Sequence, residues 1–215
     1  MKTPSQTEPK TRKPRSDGVQ SRSAILGEAA RLATVEGIDG LSLARLAQKV
    51  GMSKSGLFAH FGSKEELQLA TIDAATAIFE TEVVVPADAA PTALERLRLL
   101  AAGYLRYIEA DTFPGGCFFA SVLSEVDMHP GKVRDRLVSF LGDWLGRLDA
   151  VIREAQGEGG LNPAEDPAQL TFEIEAALFL ANAQFVVMHT PEPIERARTA
   201  ITRRIDAATT PAGRH

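Results

Sequence analysis

The side chains best suited to grip a phosphate backbone and read a base edge gather between Ser42 and Lys64. Lys54 supplies a cation and Ser55 a small hydroxyl that donates and accepts. Ser53 precedes them, and His60 and Lys64 add further donors. Hydroxyls and ammonium groups of this kind position a protein on phosphates, whereas direct sequence readout needs them at base edges in the major groove. Phe58 stands among them as an aromatic in an otherwise polar set.

The surrounding pattern must hold these groups in place. Ser42 is an N-cap, after which Leu43, Leu46, Ala47 and Val50 fall on one face at helical spacing. Gly51 can take the left-handed conformation that ends a helix, and Ser53 caps a second one two residues later. A helix, a short turn containing Gly and a second helix make a helix-turn-helix, whose second helix enters the major groove by its N-terminal end. That end carries Lys54 and Ser55. Ser63 and Glu66 are spaced as a capping box before Leu67.

The run Gly56-Leu57-Phe58-Ala59-His60-Phe61-Gly62-Ser63-Lys64-Glu65-Glu66-Leu67, with Gly40-Leu41-Ser42 and Ala47, Gly51 and Ser53 before it, closely resembles the DNA-binding domain of the tetracycline-repressor (TetR) family of bacterial regulators. The likeness runs from Ser21 to Ile72. It implies phosphate contacts from Ser42, His60 and Lys64, with base readout by Lys54 and Ser55. Phe58 departs from the family: many relatives carry Tyr there, whose hydroxyl reaches a phosphate, and Phe cannot make that bond. The resemblance also implies a homodimer that binds a palindromic double-stranded operator and leaves it when a small molecule fills a pocket in the carboxy-terminal domain.

Other chemistries find little support. Gly51 to Gly56 lacks the spacing of a phosphate-binding loop. His60, His129, His189 and His215 are scattered, and a single cysteine adds little to a metal site. Neither a cofactor, a metal nor a catalytic residue is expected. Cys117 is the competing candidate. It follows Gly115-Gly116 near a helix N-terminus, where a thiol pKa can fall, so a thiol-dependent enzyme or sensor is one alternative reading. Beside Phe118 and Phe119 it also reads as a small buried hydrophobe. An activator of the same family and an architectural DNA binder without effector are the others.

Composition bounds the fold. Ala and Leu dominate the apolar fraction of this 215-residue chain and strand-like alternation is rare, so the expected class is all-α. One cysteine excludes an internal disulfide framework and suits the cytoplasm. No apolar run long enough to cross a bilayer is expected, and no membrane partner. The formal charge is −4, but residues 1–22 hold six basic side chains against Glu8 and Asp17, a net +4, which leaves −8 for the remainder. Residues 1–20, rich in Pro, Ser and Thr, read as a disordered basic arm.

The periodicity predicts a first helix over Ser21–Glu36, the two motif helices, and a longer helix from Ser63 to Phe79. Val83-Val84-Val85-Pro86 is expected to start an extended loop through Ala90. Helices follow over Pro91–Ala110, over Cys117–Val126, from Val133 to Gly157, from Pro167 and from Pro193. Asp166-Pro167-Ala168-Gln169 has the signature of a capped helix start. The resulting division is residues 21–66 for DNA, 67–208 for effector and dimer contacts, and 209–215 as a disordered tail. Tyr104, Tyr107, Phe113, Cys117, Phe118, Trp144 and Phe179 are the expected pocket, with Glu175 and Asn182 as its polar selectors. Phe172, Leu178, Phe185, Ile194, Ala197, Ile201 and Ile205 are the expected dimer interface.

Overall fold

The computed structural model describes residues 16–123 and 130–214. The elements are α1 (Ser16–Glu36), α2 (Leu43–Lys49), α3 (Lys54–Phe61), α4 (Lys64–Phe79), α5 (Val85–Asp88), α6 (Ala93–Glu109), α7 (Phe118–Leu123), α8 (Lys132–Gly157), α9 (Pro167–Met188) and α10 (Glu192–Ala208). The class is all-α, and among the described residues extended pairing is confined to an isolated bridge between Leu161 and Thr209. Helix α1 starts at Ser16, five residues before the expected boundary, so residues 16–20 are not a disordered arm. The rest of that arm lies outside the described residues, as does the expected end of α7 at Val126.

Short-range capping sets the first four helices. Ser42, Ser53 and Ser63 each accept a hydrogen bond from the backbone N–H three residues on. Gly51 has φ 68°, the conformation that closes α2. The Ser63 capping box is half made, because the Ser63 N–H goes to the Phe61 carbonyl. Leu41, Leu46, Leu57, Phe61 and Leu67 then fill a core beneath α1. Gln68 locks the α1–α2 connection by donating to the Ile38 carbonyl at 2.8 Å.

The extended loop expected at Val83–Ala90 does not form. Residues Glu80–Val84 continue α4 as a π-helical turn, and α5 follows directly. Pro86 sits in the first turn of α5, directly after the π turn. Val83, Val84 and Ala87 are buried against α6, so packing overrides the β-branched preference.

Helices α6, α8, α9 and α10 make the larger body, and α9 packs chiefly on α10. By length and composition alone α9 is apolar enough to cross a bilayer, which corrects the expectation that no such segment exists. Here Leu170, Ile174 and Leu178 bury one face of it within the bundle, and Glu173 pairs with Arg204 of α10. Asp166 caps α9 through Ala168 N–H, while Gln169 bonds Glu173 instead of completing a box. The tail is not disordered: the Thr210 N–H and hydroxyl bond to the Gly160 and Gly159 carbonyls, and the Ala208 carbonyl accepts from Asn162 N–H. Those bonds pin residues 208–210 to the α8–α9 turn.

At Gly103 of α6, a Cβ would lie 3.3 Å from the Val83 carbonyl oxygen. Gly103→Leu should therefore overpack the α6 contact with the π turn and cost about 1–3 kcal/mol. Urea unfolding of the variant measures it, and an unchanged midpoint would show that the junction is loosely packed.

Candidate functional site

Two regions gather the predicted site residues. The first is the exposed N-terminal end of α3. Ser53 caps it, with its Oγ 3.2 Å from that of Ser55, and Lys54, Ser55 and Phe58 all face solvent. Phe58 is 51% exposed, so it packs no core. Leu57 and Phe61 on the opposite side are buried, which fixes the helix with its polar edge outward. His60 is half-buried; its carbonyl accepts from Arg22 at 2.8 Å, and the Arg22 guanidinium lies over the Phe61 ring. Lys64 donates to the Asp39 carbonyl at 2.6 Å, which ties α4 to the α1–α2 connection. Ser42 faces solvent with its hydroxyl engaged by the Arg45 N–H.

The second region is a cavity of about 810 Å³, open to solvent on one side and lined by α4, α6, α7, α8 and α9. Of the expected pocket set, Tyr104, Cys117, Trp144, Glu175 and Phe179 line it. Tyr107, Phe113 and Phe118 do not; they are packed behind the wall, Tyr107 edge-on to Phe79 and Phe113 against both Tyr107 and Phe118. Asn182 is not a ligand selector either. Its Oδ1 accepts from the Cys117 N–H at 2.7 Å, and a Cβ at Gly116 would overlap that oxygen. Gly116 also has φ 77°, which a side chain would strain.

Phe119, one of the aromatics the sequence offers for a cavity, lines it, whereas Phe79, Phe140 and Thr171 were passed over and line it too. Phe79 is its hub, with edge-on contacts to Tyr104, Phe119, Phe140 and Trp144. Its helical spacing on α4 marked it as apolar, but nothing local separated a cavity wall from plain core.

Cys117 contradicts the helix-terminus expectation. Burial pushes its thiol pKa up, and hydrogen bonds from Tyr104 and from the Ala120 and Phe119 N–H groups offset only part of that. The thiolate a nucleophile needs is thereby disfavoured. Tyr104 is pushed up in the same way, by burial first and then by Cys117 and Glu175.

The expected dimer residues divide. Leu178, Ile194, Ala197, Ile201 and Ile205 fill the α9–α10 seam within the chain, because the apolar face of α10 turns inward to meet α9. Phe185 is half-buried. Phe172 is 68% exposed and also lines the cavity mouth. The outward stripe of α9 instead comprises Phe172, Phe179, Leu180, Val187 and Met188.

Glu175 receives the Trp144 indole N–H at 2.8 Å. Burial raises its pKa, and the Trp144 bond lowers it by less. A carboxyl raised on folding favours the protonated native state. Its contribution is full below the ordinary carboxylate range and is lost as pH rises through the folded pKa. Glu175→Gln should accordingly match the wild type near pH 4 and become the more stable of the two by pH 8. Urea midpoints at both pH values check the prediction; a gap independent of pH would contradict it.

Comparison with known proteins bears on both regions. Residues 25–71 match the family described as bacterial regulatory proteins, tetR family, and residues 93–201 match the tetracyclin repressor-like C-terminal domain. A TetR transcriptional regulator from Chloroflexus aurantiacus J-10-FL is 23% identical, with TM-score 0.82 over 90% of this chain and 98% of that one. A putative transcriptional regulator from Saccharomonospora viridis in complex with choline is 21% identical, with TM-score 0.74 over 89% and 98%. AibR, in complex with isovaleryl coenzyme A and operator DNA, is 22% identical, with TM-score 0.67 over 84% and 95%. At these identities the likeness is one of fold. None of the curated proteins matches the sequence.

Proposed function

Because this chain belongs to the tetracycline-repressor family of transcriptional regulators, we propose that it is a homodimeric repressor released from a palindromic operator by a small molecule in the α4–α9 cavity. The observation that carries the reading is the α3 end. Lys54 and Ser55 face solvent at the start of a capped helix whose other face is locked in the core. Residues 21–66 serve as the DNA-binding unit and 67–208 as the effector and dimer unit. Lys54 and Ser55 read base edges, and Ser42 and His60 contact phosphates. Lys64 positions α4 through Asp39 and reaches phosphate with its remaining donors. The structures of AibR and of the Saccharomonospora protein, each holding a small molecule, support an effector in this class of fold.

Two recognition helices must lie about 34–36 Å apart to enter successive major grooves. In the proposed dimer the outward stripe of α9 packs on its two-fold mate, since an exposed apolar row of this kind suits a hydrophobic interface. An effector that binds better to a differently spaced dimer lowers operator affinity by that difference.

An operator is first obtained by selecting bound fragments from genomic DNA. Lys54→Ala should then weaken binding to it and reduce the slope of log K against log salt by about one, with thermal stability unchanged. Fluorescence anisotropy across a salt series reads both; an unchanged slope removes Lys54 from the interface.

Val187 is 79% exposed on the α9 stripe. Val187→Glu should leave the helical content intact and shift the protein to monomer in sedimentation velocity, with operator affinity falling in step. A variant that stays dimeric would move the interface off α9.

A further inference from the structure

The charged side chains lining the cavity are Glu175 and Asp149, and no lysine, arginine or histidine lines it among the described residues. Asp149 is already paired with Arg153 at 2.7 Å. Glu175 is different. Its bonded neighbour is the neutral indole N–H of Trp144, on Oε2, and among the described residues neither of its oxygens meets a cation. An ionised carboxylate in such surroundings is costly unless a positive charge joins it.

The walls suit a cation that is otherwise apolar. Tyr104 and Trp144 stack at 6.1 Å, and Phe119 and Phe140 present further rings. Ring faces attract ammonium groups through their quadrupoles, most strongly where water is excluded. One turn before Glu175 on α9, Thr171 also lines the cavity, but its hydroxyl oxygen is buried within the wall and offers the space no polar group. The cavity volume falls in the range that takes a drug-sized ligand.

We propose that the cavity binds a singly charged, otherwise apolar ammonium compound, with Glu175 as its counter-ion. The inference rests on the reading of this cavity as the effector site. A neutral hydrocarbon leaves the Glu175 carboxylate without a counter-charge, and an anion meets that carboxylate with no base beside it. The Trp144 bond holds Glu175 Oε2 in place and leaves Oε1 for the ligand.

Trp144 is the chain's sole tryptophan, so its emission reports from the cavity wall. The full-length protein is titrated with benzyltrimethylammonium, with its neutral carbon isostere neopentylbenzene and with the anion 3-phenylpropionate. The cation should perturb Trp144 emission and bind at least about tenfold more tightly than either of the others. Glu175→Gln keeps an acceptor for Trp144; it should lose at least about tenfold in affinity for the cation and change the neutral compound by less than about twofold. Equal or tighter binding of the neutral or anionic compound to the wild type overturns the charge assignment while the cavity remains a ligand site. No response to any of the three, in emission or melting temperature, overturns the cavity reading and this proposal with it. Should the variant fail to fold, the charge series on the wild type decides the question alone.

Discussion

Two backbone amides of one short loop join α1 to α9, a helix that lines the cavity. Gly115 N–H donates to the Thr34 hydroxyl of α1 at 3.2 Å, and Cys117 N–H donates to Asn182 of α9 at 2.7 Å. Arg31 of α1 adds a bond to the Thr112 carbonyl. The loop is pressed so close that a side chain at Gly115 would overlap the Thr34 backbone, and one at Gly116 would overlap Asn182. Breaking the Cys117–Asn182 bond would leave two buried polar groups unmet, at a cost of about 1–3 kcal/mol each. The economical response to a push on this loop is thus to move it as a block, and α1 has to follow. Cys117 and Phe119 are both in the cavity wall, so a ligand that displaces them acts on that block directly.

What the sequence made legible was what local bonding determines. Ser42, Ser53 and Ser63 each serve a donor three residues away, and the glycine at 51 closes a helix by its own backbone freedom. Such features need no knowledge of distant chain. The Val83–Pro86 segment shows the opposite case. Its residue types favour extension, yet it continues as a helix with Val83 and Val84 buried and Val83 in close contact with Gly103 of α6. Asn182 was recognisable as an interruption in an apolar helix, but its partner lies 65 positions away and on a backbone atom that leaves no trace in side-chain type. The isoleucines of α10 were read as an outward face because periodicity identifies an apolar stripe without saying which way it turns. The two-glutamate clasp on Arg204 and the ion pair of Arg198 with Glu109 fix α10 with that stripe against α9.

The cavity and the outward face of α9 share side chains, and this ties effector to assembly. Phe172 and Phe179 are exposed on the stripe proposed for the dimer, yet both also line the cavity. On the same helix, Glu175 also lines it. On the proposed reading, a ligand seated on Glu175 bears on α9 beside Phe172 and Phe179. In a two-fold dimer every such adjustment is applied twice, once from each protomer. In the proposed dimer the two recognition helices would have to match a spacing set by the DNA repeat, which a small rotation at the interface changes. The loop bonds from α9 through Cys117 and from Gly115 to α1 tie the cavity wall to the amino-terminal helix. In the proposed mechanism, a ligand needs only to prefer one arrangement of α9, and of the loop bonded to it, to shift the population.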